Sequence, residues 1–230
     1  MQEKIRRKSS QPVYLYGTKN VLRIGNKLYT RTSKNKRVYG EDIIRFEHAN
    51  YREWRPDRSK LAAAILKGLH TMPIGESSNI LYLGASTGTT VSHISDIASS
   101  GRIYAVEVAY EPFSKLLDLA EQRDNIYPIL EDANLPERYR FFIEHVDVVY
   151  QDISQRNQIA IFRRNMDEFQ PKSAFLILKT RSIASTEDAK TILKKTIEQL
   201  SSYNIREVID LSPYDTDHYL ILVDTKGVRR

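Results

Sequence analysis

Short, continuously apolar runs alternate with amphipathic stretches through most of the chain. Ile80-Leu81-Tyr82-Leu83, Ile103-Tyr104-Ala105-Val106 and Ala174-Phe175-Leu176-Ile177-Leu178 have the length and unbroken apolar character of parallel strands covered on both faces. The pattern predicts strands near 80–84, 103–107, 127–131, 146–152 and 174–180, separated by helices near 89–99, 112–123, 135–143, 156–168 and 186–202. Another helix is expected from Ser59 to His70, with Asp57 as its N-cap and Leu61, Ile65 and Leu69 on one stripe. Ser185-Thr186-Glu187-Asp188 offers the last of these helices an acidic, capped start. The final apolar runs, from Arg206 to Leu211 and from Tyr219 to Val223, leave no room for a helix between them and so must pair antiparallel. The architecture expected is a mostly parallel α/β sheet closed by an antiparallel strand.

The first fifty or so residues read differently. PVYLYG, NVLRIG, KLYTRTS and KRVYGEDIIRFEH are short runs of Tyr, Val, Leu and Ile broken by turn residues, as in a β-meander. The division expected is a small β-rich domain over 1–52 and an α/β domain over 53–230. Lys19, Arg23, Lys27, Arg31, Lys34, Lys36 and Arg37 alternate with apolar residues in the first of these. On strands that alternation gathers charges on one face, either a solvated surface or a contact face for RNA or protein.

Chemistry enters at the strand ends. Gly84 and Gly88 bracket a loop between a strand and a helix, where the backbone can turn sharply and come close to a ligand. The next strand closes on Glu107, whose carboxylate can accept from both hydroxyls of a ribose. The loop lacks the third glycine of the GxGxxG dinucleotide fingerprint, and no Gly-Lys-Ser/Thr follows it as in a P-loop. S-adenosyl-L-methionine carries no phosphate and tolerates such a loop. Asp132, at the end of the following strand, can accept from an adenine amino group. Carboxylates at two successive strand ends therefore point to that cofactor and to a Rossmann-like methyltransferase sheet, because ligands of such sheets lie outside the carboxyl ends of the strands. Asp152 and Lys179 end the next two strands, which as neighbours would stand about 4.8 Å apart and let the side chains converge. Beside a methyl donor, Lys179 either takes the proton of a poorly acidic hydroxyl as a neutral amine or stays charged and stabilises the developing alkoxide. Both remain open at this stage.

Composition narrows the setting. The chain has 230 residues, 41% of them hydrophobic, enough for one full core and a smaller appendage. It has no cysteine, which excludes disulfides, thiolate catalysis and cysteine-ligated metals, and no spacing of its histidines suits a metal site. A net charge of +6 permits a polyanionic partner. No apolar stretch approaches the roughly 18 residues of a membrane span. The basic start MQEKIRRKSSQ has no apolar core behind it, unlike a secretory signal. A soluble, cytoplasmic protein without membrane contact is expected.

In order along the chain, RSKLAAAI, LYLGASTGTTVSH, YAVEV, VDVVYQDISQ, LILKTRSI and PYDTDHYLILV resemble the fibrillarin family in its archaeal form. The resemblance runs from near residue 50 to the C-terminus, and the N-terminal β segment fits the family's small extra domain. It implies an S-adenosylmethionine-dependent RNA 2′-O-ribose methyltransferase, the catalytic subunit of a C/D-box guide ribonucleoprotein acting on rRNA, with tRNA as a second candidate target. The partners implied are C/D-box guide RNA with its target RNA, a Nop-domain scaffold protein and a kink-turn-binding protein of ribosomal type. By position, Lys60, Asp152, Lys179 and His218 match the family's Lys-Asp-Lys-His catalytic set. Lys179 would act on the 2′-hydroxyl, Asp152 would orient it and bind near the sulfonium, and Lys60 and His218 would position ribose and phosphate. The cofactor set implied is Gly84, Ala85, Thr89, Thr90, Glu107, Val108, Asp132, Ala133, Asp152 and Gln155. Within it Glu107 would take the ribose, Asp132 and Ala133 the adenine, and Gly84, Thr89, Thr90 and Gln155 the methionine end. Val108 stands where the family often has Phe, and Ser86-Thr87 where many relatives have Ala-Ser. Arg181 is a candidate RNA contact. Two rival expectations stand beside this one: a guide-independent methyltransferase acting on another RNA or a small molecule, and a non-catalytic RNA-binding subunit.

Overall fold

A computed structural model describes residues 11–184 and 186–226. The basic N-terminal start and Ser185 of the capped helix start lie outside the described residues. Five short strands form the first sheet: β1 (Val13–Tyr14), β2 (Val21–Ile24), β3 (Lys27–Thr32), β4 (Ile43–Phe46) and β5 (Ala49–Trp54). They run antiparallel in the order β1-β2-β3-β5-β4, and residue 52 lies inside β5. The single basic face does not form. Lys19, Lys34, Lys36 and Arg37 lie outside the strands, where alternation has no force. Of the strand residues, Arg23 shares the parity of Val21, which packs into the main core, whereas Lys27 and Arg31 share that of Tyr29 in a separate outer cluster.

The second sheet holds β6 (Ile80–Leu83), β7 (Ile103–Glu107), β8 (Ile126–Leu130), β9 (Val148–Gln151), β10 (Ser173–Lys179), β11 (Asn204–Asp210) and β12 (His218–Asp224). Their order is β11-β12-β10-β9-β6-β7-β8, with β12 antiparallel to both β10 and β11 and the other pairs parallel. β6, β7 and β9 are buried at every position, the reason their sequences show no alternation. β11 is an edge strand and alternates exposed with half-buried residues. From β6 the chain builds outward through β7 and β8, then returns to place β9 on the other side of β6. The β6–β9 boundary is thus the switch point, where a crevice opens beyond the strand ends.

Among the described residues six helices pack around the sheets: α1 (Lys60–Leu66), α2 (Thr89–Ile97), α3 (Tyr110–Ala120), α4 (Gln158–Phe169), α5 (Thr180–Ile183) and α6 (Ala189–Gln199). One departs from the sequence-based picture at both of its ends, for local reasons. α1 is capped by Ser59, not Asp57, because the Asp57 carboxylate is taken by Arg55 at 2.8 Å. α1 also stops short of His70: Gly68 adopts φ +101°, and the N–H groups of Gly68 and Leu69 turn back to the carbonyls of Ile65 and Ala64. Another expected helix, over 135–143, is replaced by two 3₁₀ turns, Pro136–Arg138 and Arg140–Phe142. Pro136 and Tyr139 are its buried residues, and a spacing of three suits three residues per turn better than 3.6. Asp188 caps α6 by accepting from the Thr191 N–H.

α2 is covered on both sides. Val91, Ile94 and Ile97 join the core formed with Ile80, Tyr82, Ile103 and Phe175, and Val21, Leu28 and Trp54 of the first sheet belong to the same core. The polar positions of α2 meet that sheet. Arg52, fully buried on β5, donates to Glu41 (2.5 Å), Asp96 (2.9 Å) and Ser92 (2.9 Å), and Arg123 reaches the other oxygen of Asp96 at 2.7 Å. His93 lies between Thr30 Oγ1 and Tyr39 OH, each 2.7 Å from a ring nitrogen, and stacks on Trp54. Burial first, then the charges of Arg52 and Arg123, hold the His93 imidazolium well below its ordinary range, so the native ring is neutral.

The unfolded ring protonates below about 6.5 while the native ring does not, so the contribution of His93 is complete above that pH and is lost as pH falls. Urea-unfolding free energies are expected to decline between neutrality and about pH 5.5, and His93→Gln should remove up to about 1.4 kcal/mol per pH unit of that slope. Equal slopes in the two proteins would count against the neutral ring. Arg52→Ala leaves the Glu41 and Asp96 carboxylates buried without their shared cation, and is expected to cost about 3–5 kcal/mol in the same measurement.

Candidate active site

The crevice is lined by the carboxyl ends of β6, β7, β9 and β10. Gly84 follows β6 with φ +80°, and a Cβ there would stand 2.6 Å from the main-chain carbonyl oxygen of Asp152. Only glycine lets the two segments come this close, and the Asp152 N–H fastens them by donating to the Leu83 carbonyl at 2.9 Å. Ala85 is buried and donates its N–H to Val106. Thr89 opens α2, and the Thr90 hydroxyl donates to Ser59 Oγ at 3.0 Å, joining the start of α2 to the cap of α1.

Glu107 closes β7 and is buried. One carboxylate oxygen accepts the Ser86 N–H and the other the Ala109 N–H, both at 2.8 Å. Each oxygen has a second lone pair, so the group that shapes the loop also has capacity for two hydroxyls. Val108 beside it is exposed, whereas Ala133 is buried. Asp132 Oδ1 accepts from both the main-chain and the side-chain N–H of Asn134. Asn134 also donates to Gln155 Oε1 at 3.0 Å and accepts from Asn157. Gln155, expected near Thr89 and Thr90, is thereby tied to Asp132. The sequence reading missed Asn134; its one signal was the Asp-Ala-Asn spacing of a side-chain-closed turn.

Four charged or titratable groups expected to act together do meet. Lys60 is the first residue of α1, Asp152 follows β9, Lys179 ends β10, and His218 begins β12 as the cross-strand partner of Lys179. Asp152 Oδ2 lies 3.2 Å from Lys60 Nζ and Oδ1 lies 2.7 Å from Lys179 Nζ. Burial acts to raise the Asp152 pKa, but Lys60 and Lys179 outweigh it and hold the carboxyl below its usual range. Lys179 Nζ also donates to Ser154 Oγ (2.7 Å) and to the Asp152 carbonyl (3.2 Å), whereas its approach to Asp152 Oδ1 is an ion-pair contact without hydrogen-bond geometry. The Lys179 main chain is held in turn by Gln158, a fully buried side chain that accepts its N–H and donates to its carbonyl.

Asp215 was not foreseen. It stands 3.6 Å from Lys60 Nζ through Oδ2 and 2.5 Å from His218 Nδ1 through Oδ1. Its only trace in the sequence is an acid three residues before the histidine in PYDTDHY. Ser154 and Gln158 left no trace at all, since neither type at those positions suggests a contact with a lysine. Arg181 lies on α5 and pairs with Asp217 at 2.8 Å. Beneath the cluster the stacked rings of Tyr82 and Tyr150 are fully buried, and burial pushes both phenols up, so they stay neutral. Among the described residues no group of three acidic or histidine side chains could hold a metal ion, and no helix is long and apolar enough to cross a membrane. The arrangement can grip a hydroxylated ligand at the ends of β6 to β8 and present a cation to an acceptor oxygen at the ends of β9 and β10.

Residues 5–227 match the family model described as Fibrillarin. The chain is 94% identical over its 230 residues to a fibrillarin-like rRNA/tRNA 2′-O-methyltransferase of Thermoplasma acidophilum, with all of both chains covered. Fibrillarin of Aeropyrum pernix, solved with natively bound S-adenosyl-L-methionine, superposes with a TM-score of 0.80 at 39% identity over 93% of this chain and 99% of that one. A fibrillarin in complex with Nop5p does so at 0.81 and 41%, over 90% and 98%.

Gly84→Ala combines a left-handed backbone with a clash against the Asp152 carbonyl, and is expected to cost about 1–3 kcal/mol of stability in urea unfolding. Gly75→Ala, whose Cβ would touch only Ser78 Oγ at 3.8 Å, is the control and should change far less.

Proposed function

The chain belongs to the fibrillarin family, and on that premise we propose that it is the S-adenosylmethionine-dependent RNA 2′-O-ribose methyltransferase subunit of a C/D-box guide ribonucleoprotein. The observation that carries the reading is the Asp152 carboxylate shared by Lys60 and Lys179 at the mouth of a crevice bounded by Gly84 and Glu107. The residues present suit the cofactor. Gly84 leaves space that any Cβ would fill, Glu107 can accept two ribose hydroxyls, and Asp132 can accept from adenine, with Ala85, Thr89, Thr90, Val108, Ala133 and Gln155 around them. When bound, S-adenosylmethionine supplies a methyl group made electrophilic by its sulfonium.

The protein's part is electrostatic positioning. Lys179 turns one ammonium hydrogen to the ribose 2′-oxygen, orients it and offsets the negative charge that develops there. Asp152 stays ionised and holds the two lysines at one point, and the proton that the 2′-oxygen releases as it takes the methyl passes to a lone pair of His218 or to water. Lys60 and His218 position the ribose and the neighbouring phosphate, and Arg181 on the rim contacts the backbone. Base pairing with a guide RNA supplies sequence selection, in keeping with a net charge of only +6. A Nop-domain protein is the scaffold, as Nop5p accompanies the similar fibrillarin, and a kink-turn-binding protein completes a cytoplasmic particle acting on rRNA or tRNA.

The test is transfer of a labelled methyl group to guide-complementary RNA, with and without guide and scaffold. Methylation at the guide-specified 2′-oxygen only in the full complex is expected, and activity of the isolated chain would favour the guide-independent reading. Lys179→Ala should lower the rate by about a hundred-fold or more while cofactor binding persists. Unchanged methylation in that variant would overturn the assigned role.

A further inference from the structure

We infer that Asp215 is a positioning residue for methyl transfer, fixing His218 in the Nδ1–H tautomer and supplying the second negative charge that Lys60 and Lys179 require. The inference deepens the function proposed above and rests on it.

His218 Nδ1 is buried, and the contact recorded for it is Asp215 Oδ1 at 2.5 Å, short but not straight. A carboxylate oxygen at that distance repels an unprotonated ring nitrogen and attracts an N–H even off its axis, which places the proton of the ring on Nδ1. In the neutral ring this makes Nε2 the lone-pair nitrogen, able to accept from a ribose hydroxyl; the other tautomer would offer an N–H there instead. The choice matters because the other candidates in the cluster are poor proton acceptors. Lys179 Nζ is already engaged with Ser154 and the Asp152 carbonyl, and the Asp152 carboxyl is held below its usual range.

The same carboxylate continues the chain of charges. From Lys179 it runs through Asp152, Lys60 and Asp215 to His218, with successive separations of 2.7, 3.2, 3.6 and 2.5 Å. Two cations alternate with two anions, so the row is balanced while the imidazole is neutral. Without Asp215, Lys60 and Lys179 would share the Asp152 carboxylate and Lys60 would lose its ion pair on the side away from it.

The backbone holds Asp215 where this requires. The Tyr214 and Asp215 N–H groups both donate to the Leu211 carbonyl, and the Leu211 N–H donates to the carbonyl of His218, closing the turn between β11 and β12. The Thr180 N–H and hydroxyl both donate to the Asp217 carbonyl, and Arg181 pairs with the Asp217 side chain, fastening the turn to the end of β10. The charged groups around the ring thus come from α1 (Lys60), β10 and α5 (Lys179 and Arg181), the segment after β9 (Asp152) and the turn itself (Asp215 and Asp217).

Asp215→Asn preserves shape but replaces an acceptor by an amide that can donate to Nδ1, reversing the tautomer. An aspartate that orients a catalytic histidine in a serine protease loses about 10⁴ in kcat by the same exchange. The full chain is prepared with ¹⁵N-histidine, and His218→Ala assigns the ring signal. At a pH where the ring is neutral, the wild type should show Nδ1–H and Asp215→Asn should show Nε2–H; the same tautomer in both overturns the inference. In the reconstituted guide complex, Asp215→Asn should lower kcat by roughly a hundred-fold or more with little change in KM for RNA, and Asp215→Glu should recover most of it. Equal kcat in wild type and Asp215→Asn overturns the inference, whereas a wild-type complex that transfers no methyl to RNA sinks the functional reading and leaves the tautomer spectrum to decide the action of Asp215 on the ring.

Discussion

The carboxylate of Asp152 holds two ammonium groups within reach of one point, and most of what the site does depends on that. Lys60 comes from a helix near the start of the α/β domain and Lys179 from a strand 119 residues later; alone they would repel. Both cations and the anion are largely withdrawn from water, at 22%, 10% and 15% side-chain exposure, so solvent screens their attraction less than at an open surface. The net lowering of the Asp152 pKa against its burial records which effect wins. The residue also works through its backbone. Its carbonyl receives Lys179 and fills the space beside Gly84, and its N–H binds the end of β6. Electrostatics at the acceptor side and loop geometry at the cofactor side are thus two consequences of one residue at the switch point.

The first sheet contributes by immobilising α2. That helix begins with Thr89 and Thr90 directly after the glycine loop, and it is clamped between the parallel sheet and β3 and β5. Arg52 donates to two carboxylates and a hydroxyl that only one docking register brings together. Such a cluster adds little net stability over an apolar contact of equal volume, but a displaced register would leave charges buried and unpaired. The N-terminal strands therefore help to set where α2 begins, directly after the glycine loop.

Much of the sheet was legible because a strand buried on both faces has little choice of residue: runs such as Ile80–Leu83 and Ala174–Leu178 admit few other readings. Asp152 and Lys179 were legible as polar residues at the abrupt ends of such runs. The segment over 135–143 was not, because two buried residues three apart are compatible with either helix type until the proline and the surrounding packing decide. The basic residues of the first sheet misled for a related reason. Alternation carries information only on strands, and four of the seven sit outside them. Asp57 looked like a cap until Arg55 took its carboxylate.

The order of apolar runs, the glycines at sharp turns and the polar residue closing each strand were determined by sequence alone, because they follow from backbone conformation and burial, which neighbouring residues dictate. Those features suffice for the fold class and, through the ordered motifs, for the family. Which side chains meet was decided only by the tertiary structure. Asp215 joins His218 to Lys60, Asn134 joins Asp132 to Gln155, and Gln158 clamps the Lys179 backbone, each through contacts between segments distant in the chain. A local pattern specifies where a side chain leaves the backbone, whereas its partner depends on how separate strands and turns are placed by the core. For that reason the candidate site residues were readable one by one, and the contacts that join them were not.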